Sequence, residues 1–256
     1  MLAHQILFFI LGLSVGSFLN SVTLRYNTGE KVTKGRSRCF NCSKTLSALE
    51  LLPLVSYIFL KGKCRSCRSV ISWQYPAAEL LTGILFLSIF VKWMNNYPDY
   101  GLGVLFFWLL FVSILIAIAI YDLRHKIIPD SFSYALLAVA VLGNLFFFKI
   151  NLAELLLSLI PSLFLFLLWL FSRGRWMGLG DSKLMLGGGI FLGFPASLSA
   201  LILSFWVGGA LGILLLLASS KITLKSEIPF GPFLASGILL AFFFGDFLMP
   251  FAFFYG

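Results

Sequence analysis

All four cysteines of the chain fall in one polar stretch, as Cys39-Phe40-Asn41-Cys42 and Cys64-Arg65-Ser66-Cys67. The C-x2-C spacing turns two thiolates toward one point. The linker of residues 43–63 folds back to bring the pairs together, which suits a closed tetrahedral zinc site. Arg38, Lys44, Lys63, Arg65 and Arg68 surround the pairs and can offset the negative charge that zinc with four thiolates carries. Two disulfides, or a redox C-x2-C pair, are the competing reading, and a reducing compartment disfavours both. Four cysteines leave no open coordination position, so a Zn(2+) ion held by Cys39, Cys42, Cys64 and Cys67 is structural.

Two carboxylates stand in more telling surroundings than the rest. Asp122 follows an apolar run without a polar spacer, in Tyr121-Asp122-Leu123-Arg124, and Pro129-Asp130 comes shortly after. Asp181 lies in Gly178-Leu179-Gly180-Asp181-Ser182-Lys183-Leu184. Two carboxylates close together in a partly desolvated site cannot both ionise easily and share a proton. One can then activate water while its partner protonates a carbonyl oxygen, which is the chemistry of aspartic proteolysis. Gly178 and Gly180 leave room for the backbone of an extended peptide. Each acid also has a bland reading. Asp181 can be a helix N-cap, and Asp122 can pair with Arg124 or Lys126 at an interface.

The elements that must position these groups are membrane spans. The chain has 256 residues, 60% hydrophobic and only 11% charged, with mean hydropathy +0.99. Soluble domains run at about 45–50% apolar and about 25% charged, so a soluble enzyme, a disordered chain and a disulfide-stapled secreted domain are excluded. Apolar runs near the bilayer-spanning length cover 5–24, 76–93, 101–121, 131–148, 155–171, 184–194, 196–218 and 228–250. The expectation is an all-α integral membrane protein of about eight transmembrane helices, seven if the short, Gly-rich sixth run merges with its neighbour. The first run lacks a basic n-region and a cleavage site, and reads as a retained anchor. No internal repeat of solenoid period is visible.

The formal net charge of +9 follows the membrane as well, and implies no nucleic-acid partner. Arg25, Lys31, Lys34, Arg36, Arg38, Lys44, Lys61, Lys63, Arg65 and Arg68 share the loop after the first run. Arg124, Lys126, Arg173, Arg175, Lys183, Lys221 and Lys225 fall on the same side, and Lys92 and Lys149 on the other. The positive-inside rule therefore puts the cysteine loop, Asp122 and Asp181 on the cytoplasmic face, with both termini outside for eight spans. The expected organisation is a first transmembrane helix over 1–24, a cytoplasmic four-cysteine loop over 25–76 and a multi-helix membrane core over 77–256.

The order of these features resembles the bacterial type IV prepilin peptidases, bifunctional leader peptidases and N-methyltransferases of the GxGD membrane aspartic protease kind. The resemblance runs from Gly16-Ser17-Phe18-Leu19-Asn20 through the cysteine pairs, Leu52-Pro53-Leu54-Val55-Ser56-Tyr57, Lys61-Gly62-Lys63-Cys64 and Ile71–Glu79. It continues with Asp122-Leu123-Arg124 to Pro129-Asp130, Gly178–Leu184, and Pro229-Phe230-Gly231-Pro232-Phe233. Where the family often has Arg-Leu-Pro after its first span, this chain has Arg25-Tyr26-Asn27. The resemblance implies a catalytic pair of Asp122 and Asp181, supported by Gly178, Gly180, Lys183 and Asp130. It implies a type IV prepilin or pseudopilin substrate, S-adenosyl-L-methionine as methyl donor, and a multi-pass location in the bacterial inner membrane. No glycine-rich turn of the soluble methyltransferase kind is present to support methyl transfer independently, and the residues that would bind the donor are unknown. Three other readings stand beside it: a presenilin or signal-peptide-peptidase-like intramembrane di-aspartyl protease, a non-catalytic zinc-loop scaffold, and a transporter.

Overall fold

The structure, a computed structural model, describes residues 2–28, 37–148, 150–218 and 228–245. Of the basic residues that bear on orientation, Lys31, Lys34, Arg36, Lys149, Lys221 and Lys225 lie outside them. The described residues form an all-α membrane fold in two compact units, Met1–Ala117 and Ile118–Gly256.

In the first unit, α1 (Leu2–Arg25) lies along α3 (Gln74–Asn96). Phe8 of α1 stacks on Phe90 of α3 with ring centroids 4.4 Å apart, and Phe86 and Ile89 are buried. Between the two helices run the cysteine turns, a 3-10 turn over Ala48–Leu51 and the short α2 (Val55–Phe59). A second 3-10 turn, Pro98–Tyr100, leads into α4 (Gly101–His125), which begins in the first unit and ends in the second.

The second unit adds α5 (Asp130–Gly143), extended by a π turn over Asn144–Phe148, α6 (Leu152–Ser158), α7 (Ile160–Ser172), α8 (Leu179–Leu192), α9 (Ala196–Ala218) and α10 (Gly231–Phe244). Helix α8 is its axis, packed by α5, α6, α7, α9 and α10. The run Gly187-Gly188-Gly189 makes this possible: a Cβ there would meet Leu136 of α5, Ile238 of α10 and the Ser158 carbonyl of α6 in turn. Ser162 of α7 and Ser182 of α8 each donate to the other's carbonyl, at 2.9 and 3.0 Å. Asn144 Nδ2 donates to the Ile190 carbonyl at 2.6 Å.

Among the described residues, six segments are long and apolar enough to cross a membrane: Leu2–Arg25, Gln74–Asn96, Pro98–His125, Asp130–Phe148, Leu152–Ser172 and Ala196–Ala218. The expected eight are not confirmed among them. The sixth apolar run is α8, whose 14 residues extend about 21 Å against a hydrocarbon core of about 30 Å. It is a buried core helix, apolar because neighbours surround it. The eighth run appears as the 14 residues of α10, with 246–250 outside the described residues.

Candidate functional site

The two cysteine pairs sit on two copies of one backbone turn. In the first, the Cys39 N–H donates to the Lys44 carbonyl and the Ser43 N–H to the Cys39 carbonyl, both at 2.9 Å. In the second, the Cys64 N–H donates to the Ser69 carbonyl at 2.9 Å and the Arg68 N–H to the Cys64 carbonyl at 3.0 Å. The bridges Arg38–Thr45 and Lys63–Val70 close the turns, and Ser43 and Arg68 both take φ of 56°. These bonds repeat at equivalent positions of the two turns, a short structural duplication that a search at solenoid period misses.

The four sulfurs lie within 4.8 Å of one another. Tetrahedral zinc at about 2.3 Å from each sulfur requires neighbouring sulfurs about 3.8 Å apart. Cys39 Sγ and Cys67 Sγ are 3.8 Å apart, so the donor set fits a metal of that size. Around the thiols stand hydrogen-bond donors: Ser69 Oγ is 3.1 Å from Cys67 Sγ, and Asn41 Nδ2 is 3.6 Å from it. The Ser69 hydroxyl and N–H, followed by the Asn41 amide, hold the Cys67 thiol down to about 5. Backbone N–H groups of Cys42 and Asn41 lower Cys39 as well. Both effects favour the thiolate that a metal needs.

Both carboxylates lie in the second unit. Asp122 occupies the last turn of α4 and is 4% exposed. Its Oδ2 accepts the Gly231 N–H at 2.9 Å, one of the N–H groups at the start of α10 that lack a partner within the helix. Asp181 is also buried, in the first turn of α8, and its Oδ2 accepts the Gly178 N–H at 3.1 Å. It is therefore not the N-cap, a position held by Gly178; it lies inside the helix and reaches back to the cap backbone. Asp122 likewise takes a backbone donor, the Gly231 N–H.

Ile128, in the α4–α5 connection, links the two positions. A Cβ on Gly180 would stand 2.9 Å from Ile128 Cβ, and one on Gly231 would stand 3.2 Å from Ile128 Cδ1. The structure thus brings Asp122, Asp181, Gly178 and Gly180 to one place. Asp130 and Lys183 form the rim instead. Lys183 Nζ lies 2.7 Å from Asp130 Oδ1 and 5.5 Å from the Tyr134 ring centroid, and the Asp130 side chain is 60% exposed. Gly231 is the contributor that chemistry-bearing residue types did not reveal; the signal was a glycine held between Pro229-Phe230 and Pro232 at a helix start.

The described residues contain no strand beyond the two isolated bridges. A strand-to-helix turn for S-adenosyl-L-methionine is absent among them, and the arrangement does not fit a methyl-donor site of that kind.

Residues 10–93 match the bacterial peptidase A24 N-terminal domain, and residues 109–213 match the type IV leader peptidase family. The chain is similar to the prepilin leader peptidase/N-methyltransferase of Bacillus subtilis (strain 168), 33% identical over 248 residues that cover 95% of each chain. The proteins of the same name from Aeromonas hydrophila and Myxococcus xanthus (strain DK1622) are 32% and 33% identical. Those alignments cover 94% and 86% of this chain, and 90% and 65% of the relatives. No solved structure matches. On both matched segments and on relatives that align over nearly its whole length, the chain belongs to the type IV leader peptidase family.

Proposed function

We propose that this protein is a membrane aspartic endopeptidase that removes the short basic leader of type IV prepilins or pseudopilins and N-methylates the amino terminus so created. The observation that carries the peptidase half is the pair of buried carboxylates, Asp122 and Asp181, each accepting a backbone N–H from a glycine, Gly231 and Gly178, whose missing side chain lets the carboxylate approach. One carboxylate takes a proton from water as it attacks the scissile carbonyl. The other, protonated, gives its proton to the carbonyl oxygen. Collapse of the tetrahedral intermediate returns a proton to the leaving amine and restores the shared proton of the pair. Asp130 and Lys183 support the rim by their ion pair; Gly178 and Gly180, expected to leave room for a substrate backbone, instead admit the Asp181 carboxylate and the Ile128 side chain close to the start of α8.

The four cysteines bind structural Zn(2+), the metal that a closed four-thiolate set takes. S-adenosyl-L-methionine supplies the methyl group, and no residue is assigned to it. The protein sits in the bacterial inner membrane with the cysteine loop and the carboxylates facing the cytoplasm, as the distribution of Lys and Arg supports. Its working parts are an anchor over 1–24, the zinc loop over 25–76 and the peptidase core over 77–256.

Purified protein in detergent, given a prepilin-type peptide with and without S-adenosyl-L-methionine, tests this. Cleavage between leader and apolar segment, with methylation only when the donor is present, is the expected result. An intact peptide after incubation with zinc-loaded, folded protein refutes the peptidase assignment.

A further inference from the structure

The stretch between the two cysteine turns is polar by position but not by composition. Leu49, Leu51, Leu52, Val55, Ile58 and Phe59 are all exposed, the last at 82%. A water-facing loop gains nothing from such a row.

Its depth explains the row. The 23 residues of α3 extend about 34 Å, slightly more than the hydrocarbon core of about 30 Å. Trp73 and Tyr75 flank its first residue, as aromatic side chains do at a membrane interface. Glu79 comes five residues after Gln74, about 7 Å along the axis and hence inside the hydrocarbon edge. Its Oε2 accepts the Leu54 N–H at 2.8 Å. The backbone at Leu54 must therefore reach that depth.

The backbone of the stretch is also equipped for lipid, where unpaired N–H groups are costly. Leu54 donates to Glu79; Val55, Ser56, Ile58 and Leu60 donate to Pro53, Leu52, Leu54 and Ser56 carbonyls. Immediately afterwards come four exposed cations, Lys61, Lys63, Arg65 and Arg68. Apolar residues followed by a basic cluster are the pattern of a segment that lies in an anionic leaflet.

We propose that Leu49–Phe59 is an interfacial segment immersed in the lipid leaflet through which α3 enters, with the cations of the second cysteine turn on its anionic headgroups. The loop is then part soluble knuckle and part membrane element. Buried Glu79 is the positioning residue that pins it at depth. The inference rests on the helical membrane fold and not on the peptidase assignment.

Photo-crosslinking tests it. The probe p-benzoylphenylalanine is placed at Ile58, or at the lipid-exposed Phe18 of α1 as reference, in full-length protein in phosphatidylglycerol/phosphatidylethanolamine vesicles. Zinc content confirms that the loop is folded. Acyl-chain adducts at Ile58 in yield comparable to Phe18 are expected. Adducts to protein, whether a second copy or an added prepilin helix, or no lipid adduct at all, overturn the proposal. The cations favour an anionic surface, so amide-exchange protection over 54–60 should fall by about tenfold or more in purely phosphatidylcholine vesicles. Protection unchanged by the lipid swap refutes the headgroup contact.

Discussion

Gly231→Ala is the sharpest perturbation of the carboxylate pair, because it keeps the N–H and changes only volume. Gly231 is the first residue of α10, and the added Cβ would lie 2.6 Å from Asp122 Oδ2 and 3.1 Å from its Cγ. Ordinary contact begins at 3.4 Å, so carboxylate and helix start must separate by about 0.8 Å. Misplacement of a reacting group by about 1 Å costs on the order of 100-fold in rate, or about 2.7 kcal/mol of transition-state stabilisation. The expected result is therefore a kcat for prepilin-peptide cleavage about 100-fold lower, with KM and zinc content nearly unchanged. Gly212→Ala in α9, where a Cβ meets nothing within 4 Å, is the matched control and should be silent. A Gly231→Ala protein that folds, keeps its zinc and cleaves within about threefold of wild type refutes the assignment of Asp122 as a reacting group.

Asp122→Asn and Asp181→Asn should each abolish cleavage, and the double variant should be scarcely worse than either, since the pair acts as a unit; additive losses in the peptide assay would argue against a dyad. Asp130→Asn breaks an exposed ion pair worth less than about 1 kcal/mol and should lower kcat/KM only severalfold. Zinc should be retained at neutral pH and released on acidification, because protons compete with the metal for the four thiolates. Ser69→Ala removes the main donor to the Cys67 thiolate, so a zinc-release titration should show loss beginning at higher pH. A labelling reagent outside intact cells should reach a probe at Asn96 and miss probes at Lys44 and Arg175; labelling of the latter two would invert the topology.

The helical membrane fold and the cysteine cluster were legible in the sequence because each rests on a local quantity: apolar run length for the spans, C-x2-C spacing for the thiols. Asp122 and Asp181 were legible as candidates because each interrupts an apolar context. Their placement about Ile128 was not, since nothing local encodes which helix ends come together. For the same reason α8 was read as a span: a helix wrapped by protein and one wrapped by lipid are both apolar all round, and only length separates them. Gly231 escaped because its contribution is a backbone N–H and an absent side chain, and neither has a chemical signature in one sequence. Glu79 escaped for another reason. A carboxylate early in a span looks like a snorkelling end residue until its Leu54 partner is seen.

The paired cysteine turns have a consequence for chain entropy. Each turn is closed by its own terminal bonds, Leu46 N–H to the Ser37 carbonyl and Ile71 N–H to the Gly62 carbonyl, both 2.8 Å. Each can therefore exist without the other. A metal on all four thiolates acts as a cross-link between two ready-made clasps and shuts the intervening 43–63 segment into a ring. By the chain-entropy relation for such a ring, the cross-link removes about 3 kcal/mol of disorder from the open chain. That stabilisation falls on the stretch that Leu54 ties to α3, so stripping the metal acts well beyond its ligands. It frees a tether whose far end is anchored at Glu79, and leaves the helices themselves in place.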